Sequence, residues 1–325
     1  MPKAIRIHKT GGPDVLSWDE VEVGAPGPGQ ARLRQTAVGL NFIDCYHRSG
    51  LYPIGPLPAG IGSEGAGVVE AIGPGVTEVT VGQRVVYAGA PLGSYAEVRL
   101  YPADRLVPIP AGIDDVTAAS MLLQGMTSEY LIRRTYPVKA GDTILVHAAA
   151  GGVGLILCQW AKNLGATVIG TVGTEAKAEL ARRHGCAHTI LYSRENFVER
   201  VKDITGGRGV PVVYDSVGKD TWEGSLDCLR PRGLMVSFGN SSGPVAPFAP
   251  AVLSAKGSLF LTRPTLVHYT ATRTELLECS GALFDVVLSG KVRVEASRTY
   301  PLKDAAQAHR DLEGRKTTGS TVLIP

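Results

Sequence analysis

The chain has 325 residues, 44% hydrophobic and 19% charged, long enough for two hydrophobic cores and ordinary in composition for a globular protein. Basic residues number 33 and acidic residues 30, for a formal charge of +3, so charge gives no argument for a nucleic-acid or membrane partner. Five cysteines (Cys45, Cys158, Cys186, Cys228, Cys279) lie far apart with no CxxC pair, which excludes a zinc ribbon or a redox dithiol motif and fits a reducing cytoplasm.

The run from Met1 to Arg6 lacks the apolar region of a signal peptide and reads as the start of a strand. Through the first third, short alternating runs such as Ala31 to Val38 and Gly67 to Ile72 are punctuated by turns at 25–29 and 73–75, the pattern of a small β-barrel. Residues 52–58, Tyr-Pro-Ile-Gly-Pro-Leu-Pro, read as an irregular loop. From about Asp115 the texture changes. A helix is expected over Ala118 to Arg134, ending before Pro137. Strands at 143–147, 167–171, 188–191, 210–215 and 233–238 then alternate with helices at 153–164, 175–184, 197–204 and 221–229. That rhythm specifies a parallel, doubly wound sheet. The stretch Thr143 to Cys158 is the most apolar, yet His147 and Gly151-Gly152 interrupt it, so it reads as strand, turn and helix and not as a membrane span. Helices near 274–289 and 302–312 and a strand at 320–324 are expected to return to the β domain.

Ala149-Ala150-Gly151-Gly152-Val153-Gly154 follows directly on the strand 143–147. Small residues there let backbone N–H groups approach a pyrophosphate, and the helix N-terminus adds about half a positive charge. Ala149 stands where the usual motif has its first glycine, so the glycines alone are also compatible with an ordinary turn. The next strand ends Gly170-Thr171-Val172-Gly173-Thr174, without the acidic residue that accepts from an NAD ribose. A neutral tip followed by Lys177 leaves room and charge for a 2′-phosphate, favouring NADP; a solvated surface role is the alternative for Lys177. Strand ends at Ser216 and at Gly239 and Asn240 fall where the nicotinamide ribose would lie, or are plain strand-to-loop caps.

Gly39-Leu40-Asn41-Phe42-Ile43-Asp44, Gly60 to Val69, Gly82 to Val85, His147 to Gly154, Tyr214 to Gly218 and Ser237 to Gly243 form an ordered series. This series resembles the medium-chain dehydrogenase/reductase superfamily, and within it the zinc-free quinone oxidoreductase (zeta-crystallin-like) branch. The resemblance implies a GroES-like domain, residues 1–124 and 267–325, and a Rossmann domain, residues 125–266, with NADPH in the cleft between them. It places Asn41, Phe42, Ile43, Asp44 and Tyr46 on the nicotinamide side, and Tyr130, Gly152 and Val153 at the cofactor's middle. Gly173, Thr174, Lys177, Tyr192 and Arg315 would hold the 2′-phosphate end. Phe238, Gly239, Asn240 and Ser241, with Pro264, Thr265 and Leu266, would flank the nicotinamide. It also implies a homodimer, with Ser258 to Thr262 at the interface.

Zinc members of that superfamily have cysteine where Asn41 stands and Gly-His-Glu where this chain has Gly62-Ser63-Glu64; neither Asn41 nor Ser63 is a good zinc ligand, so no metal is expected. Without a Lewis acid a simple ketone is a poor acceptor, whereas a quinone or conjugated carbonyl delocalises incoming charge. Candidate pocket donors are Asn41, Tyr46, Tyr52, Gln124 and Thr127; none is a strong acid, water is an equal candidate as proton source, and no catalytic residue is assigned. Tyr46 and Tyr52 have packing as the competing reading. The expected function is NADPH-dependent quinone reduction. The alternatives are 2-alkenal or enone reduction, and a low-turnover NADPH-binding protein with a structural or RNA-binding role; against RNA stands the lack of a basic stripe interleaved with aromatics.

Overall fold

The computed structural model describes residues 1–325. In chain order come β1 (Lys3–Ile7), β2 (Leu16–Glu20), β3 (Gln30–Leu40), α1 (Phe42–Ser49), β4 (Ala59–Gly60), β5 (Glu64–Ile72), β6 (Arg84–Ala88), β7 (Val98–Pro102), β8 (Val107–Pro108) and α2 (Asp115–Tyr130). The alternating middle follows: β9 (Thr143–Val146), α3 (Gly152–Asn163), β10 (Thr167–Val172), α4 (Glu175–Arg183), β11 (His188–Leu191), α5 (Phe197–Thr205), β12 (Val210–Asp215), α6 (Trp222–Asp227) and β13 (Leu229–Ser237). Last are α7 (Ala251–Ala255), β14 (Phe260–Thr262), α8 (Leu266–Tyr269), α9 (Arg273–Leu288), β15 (Ala296–Pro301), α10 (Ala305–Glu313) and β16 (Ser320–Ile324).

Two compact units result, one of residues 1–126, 270–288 and 294–325, the other of residues 127–269 and 289–293. In the first, β2-β1-β4 is a small antiparallel sheet. The larger sheet has the order β15-β16-β3-β5-β6-β8, with β7 also on β3. Alternation in β3 buries Ala31, Leu33 and Ala37 on one face, and Ala31 and Leu33 pack with Val69, Val85 and Tyr101. The C-terminal strand β16 pairs antiparallel with β3, matching Thr321 to Leu40, as the reading of 320–324 as a returning strand expected. Loop 89–93 is tied down by Arg99: its guanidinium donates to the carbonyls of Pro91 and Leu92 and lies over the Tyr87 and Tyr101 rings at 5.0 and 4.7 Å.

The second unit is one parallel sheet, ordered β11-β10-β9-β12-β13-β14, with the strand order reversing between β9 and β12. Its central strand β12 is buried throughout and tolerates Pro211 because the pairing with β13 shifts register between Val210 and Val212. The core around it includes Leu145, Ile169, Val213, Met235, Trp222 and Leu226. Several elements depart from the sequence reading, among them α7, β14, α8 and β15, which it did not contain. Residue 229 opens β13 and does not close the preceding helix, because the helical run ends at Asp227. Helix α1 was not anticipated at all; its eight residues follow directly on β3 within a stretch read only as motif.

Candidate functional site

In an open parallel sheet a ligand lies over the strand carboxyl ends where the order reverses. Here those ends are the turn after β9 and the loop after β12. Gly151 precedes α3 in extended conformation with no side-chain cap, leaving the first N–H groups of a 12-residue helix without one. Gly154 is required by close packing, since a Cβ there would stand 2.4 Å from the Ala148 carbonyl oxygen. The Ser128 hydroxyl donates to the Val153 carbonyl at 3.3 Å, tying α2 to the turn. Tyr130 stacks on Tyr269 with ring centroids 4.4 Å apart and 11° between planes, and Thr127 is buried on the same helix.

At the tip of β10 the structure gathers Gly173, Thr174, Lys177 and Tyr192. Thr174 caps α4 by accepting from the Lys177 N–H. The Tyr192 hydroxyl lies over Gly173, where a Cβ would be 2.7 Å from it. No carboxylate caps the strand end; Glu175 is exposed and lies 3.5 Å from Arg194. Arg315 belongs to the other unit, exposed and at φ 57°. The loops after β12 and β13 meet: the Ser241 N–H donates to the Ser216 carbonyl at 3.2 Å, and a Cβ on Gly239 would clash with that carbonyl at 2.5 Å. Phe238 and Asn240 flank Gly239, half-buried, while Pro264, Thr265 and Leu266 follow β14 at the same end of the sheet. A surface cavity of about 800 Å³ lined by Arg208, Arg230, Pro231, Arg232 and Phe260 sits at the opposite, amino ends of β12 to β14 and is no part of this site.

In the first unit, Asn41 ends β3 and opens α1, and its N–H donates to the Asp44 carboxylate at 2.9 Å. Its side chain is committed elsewhere. The amide donates to Glu64 Oε2 at 2.7 Å and accepts from Gln124 Nε2 at 3.1 Å, while the Ser320 hydroxyl donates to Gln124 Oε1 at 2.7 Å. Glu64 Oε1 accepts from the Leu123 N–H. Burial pushes the Glu64 carboxyl up to about 8 and that of Asp44 up to about 6, against the bonds that each accepts.

A second chain was not anticipated. Ser63 and Tyr95 donate to Asp44, the Tyr95 hydroxyl meets His309 Nε2 at 3.0 Å, and Arg48 meets His309 Nδ1 at 2.8 Å and then Glu313. Burial, with Arg48 beside it, drives His309 down to about 3. Phe42 and Ile43 are half-buried on the first turn of α1. Tyr46 is buried against Tyr52 (ring centroids 5.0 Å), and His47 holds the Tyr52 loop by a 2.9 Å bond to the Pro53 carbonyl. Asn41 and Gln124 are therefore brought together directly, and so are Tyr46 and Tyr52. All five cysteines are free and buried, no three His, Cys, Asp or Glu side chains gather as metal ligands would, and no helix is long and apolar enough to cross a membrane.

Comparison with known proteins agrees with this fold. Residues 27–111 match the alcohol dehydrogenase GroES-like domain and residues 152–280 match the family described as zinc-binding dehydrogenase. The chain is 54% identical to a quinone oxidoreductase of Pseudomonas aeruginosa over 325 residues, all of both chains. It is also 54% identical to a 2-haloacrylate reductase of a Burkholderia species, covering 100% of this chain and 99% of that one. The crystal structure of the Escherichia coli quinone oxidoreductase complexed with NADPH superposes with a TM-score of 0.98 at 52% identity, covering 99% of this chain and 100% of that chain. Fold, strand order and full-length similarity together mean that this chain belongs to the quinone oxidoreductase branch of the medium-chain dehydrogenase/reductase superfamily.

Proposed function

We infer that this chain is an NADPH-dependent quinone reductase. The observation that carries the reading is the second strand's tip: Gly173-Thr174, then Lys177, with the Tyr192 hydroxyl above, all on a doubly wound sheet whose first turn is Gly151-Gly152. That donor set fits a phosphorylated dinucleotide: N–H groups without a side-chain cap for the pyrophosphate, and a lysine beside a strand tip that carries no carboxylate for the 2′-phosphate. NADPH, when bound, supplies a hydride equivalent. The protein's own part is to orient and to donate. Asn41, Phe42, Ile43, Asp44, Tyr46 and Ser216, with Phe238 to Ser241 and Pro264 to Leu266, are proposed for the nicotinamide and its ribose; Tyr130, Gly152 and Val153 for the middle; Gly173, Thr174, Lys177, Tyr192 and Arg315 for the 2′-phosphate end.

We propose that the reaction needs no metal. At the positions where zinc relatives keep ligands, Asn41 is spent on Glu64 and Gln124, and Ser63 on Asp44. The proposed acceptor pocket, Asn41, Tyr46, Tyr52, Gln124 and Thr127, is composed of neutral residues. A neutral quinone suits it better than an anion such as a haloacrylate, which would ask for a cation. Reduction of a conjugated alkene is nonetheless the second reading, because one full-length relative at 54% identity is a 2-haloacrylate reductase. An acceptor panel separates the two: purified protein should oxidise NADPH fastest with 1,2- or 1,4-quinones. Turnover with haloacrylates or alkenals alone would transfer the assignment to the second reading. Tight NADPH binding with no acceptor turned over would sink both and leave a binding protein. Lys177→Ala should weaken NADPH by about tenfold, the worth of a charge-assisted bond, and leave NADH nearly unchanged.

The same reading includes a cytoplasmic homodimer. Its support is five reduced, buried thiols and the edge strand β14, whose Phe260 is 61% exposed.

A further inference from the structure

Across the carboxyl ends of β10, β9 and β12 runs a line of four polar side chains, each no more than 1% exposed: Thr171, His147, Ser225 and Asp215. Thr171 Oγ1 and His147 Nδ1 are 2.8 Å apart, His147 Nε2 and Ser225 Oγ 2.9 Å, and Ser225 Oγ donates to Asp215 Oδ2 at 2.8 Å. Hydrogen bookkeeping gives the line a direction. Ser225 has one proton and spends it on Asp215, so His147 donates from Nε2, and with the ring kept neutral by burial its Nδ1 accepts from Thr171. Phe197 closes the far side edge-on at 5.0 Å. Ser225 lies between His147 and Asp215 with its proton facing the acid, and it is wholly buried, so it is no nucleophile.

Two members of this line, Asp215 and His147, each hold a loop that faces the proposed cofactor. Asp215 accepts four donors: Val217 N, Gly218 N, Thr221 Oγ1 and Ser225 Oγ, at 2.7 to 3.0 Å. Its second oxygen thereby folds the turn 215–218, onto which the Ser241 and Ser242 N–H groups bond. His147 is the last residue before the glycine turn. Immediately after it, Ala148 takes a left-handed φ of 53°, a conformation that an alanine adopts only at a cost. A few residues below, the same strands pack with Leu145, Ile169 and Val213. Hydrocarbon would close the sheet end as stably, because a buried polar line returns little net energy. What the polar line supplies is orientation.

We propose that His147 is a positioning residue for the dinucleotide, locking the strained turn 148–152 and the 215–218 loop into one arrangement through Ser225 and Asp215. The proposal rests on the reading of this unit as an NADPH site. It predicts a signature distinct from that of the 2′-phosphate residues. Because the turn serves the pyrophosphate, His147→Phe and Ser225→Ala should weaken NADPH and NADH by the same factor, about tenfold for one lost bond and its disorder. The quinone KM should stay within about twofold. His147→Gln, which offers an N–H and an oxygen in similar places, should restore most of the loss.

Titration of NADPH and NADH against each variant reads the affinities, and hydrogen exchange of the cofactor-free protein reads the loops. Segments 148–152 and 215–218 should exchange faster in His147→Phe and Ser225→Ala while other strands keep their protection. Should His147→Phe fail to fold, Ser225→Ala and Thr171→Val carry the test. Wild-type dinucleotide affinity in the folded variants, or a change confined to NADPH, overturns the proposal and leaves the cofactor assignment standing. Failure of the unaltered protein to bind either dinucleotide overturns the assignment itself.

Discussion

Asn41 shows how one side chain can take a position away from a metal and give it to a hydrogen-bond network. Its donor is matched to Glu64 and its acceptor to Gln124. Asn41→Ala should cost about 1–3 kcal/mol, because the Glu64 oxygen loses its partner inside the core; urea denaturation measures it, and an unchanged midpoint would refute the pairing's importance. Glu64 gives a pH prediction. Its folded-state value is raised from 4.5 to about 8, so the proton is held more tightly in the folded chain. The associated stability is complete below about pH 4.5 and is lost as pH climbs through about 8. Asp44, raised to about 6, adds to the loss only in the lower part of that range. Between pH 6 and 8 the wild type should therefore lose stability, by about 1.4 kcal/mol per unit of pH at most. Glu64→Gln should flatten that slope. The variant can stay satisfied if the amides of Asn41 and Gln124 flip, reversing the line Ser320–Gln124–Asn41–Glu64. Equal slopes for both proteins would show that another group titrates.

At the scale of elements, the helix α1 and the loop 89–93 are each held by one buried cation. Arg48, 2% exposed, joins α1 to α10 through Glu313 and His309. Arg99 holds 89–93 by two carbonyls and two tyrosine rings. Arg99→Met should destabilise by about 2–3 kcal/mol, the sum of orphaned carbonyls and lost cation–π contact. Limited proteolysis should then cut first within 89–93; cutting elsewhere would show that the loop is held by other means. These anchors were hidden from a reading of the sequence, whereas the strands and helices from β9 to β12 were legible to within one residue. Strands 188–191, 210–215 and 320–324 have the bounds expected of them, because alternating and amphipathic periods are local properties. Arg99 and Arg48 carry no local mark. Their partners lie on other segments, so each reads as an ordinary surface arginine.

For the whole molecule, the parallel sheet ends in β14, three residues with an unpaired edge and Phe260 outward. Such an edge invites pairing with another strand of the same kind. Sedimentation should give about twice 34.2 kDa. Phe260→Lys should shift the population toward single chains, since a charge on an edge strand opposes pairing; a monomeric wild type would remove the dimer from the proposed function.

Composition, period and turn chemistry were enough to determine the class of fold, the alternation of strand and helix from β9 to β13, the glycine turn after β9 and the missing acid at the tip of β10. Each is carried by residues adjacent in the chain, within reach of local backbone preference. Tertiary structure alone decided how the buried polar groups are matched: Arg48 to His309 across 261 positions, Gln124 to Ser320 across 196, His147 to Ser225 across 78. A donor and its acceptor leave no spacing rule when the segments bearing them meet only after the sheets have formed. Burial without water then makes each such match obligatory.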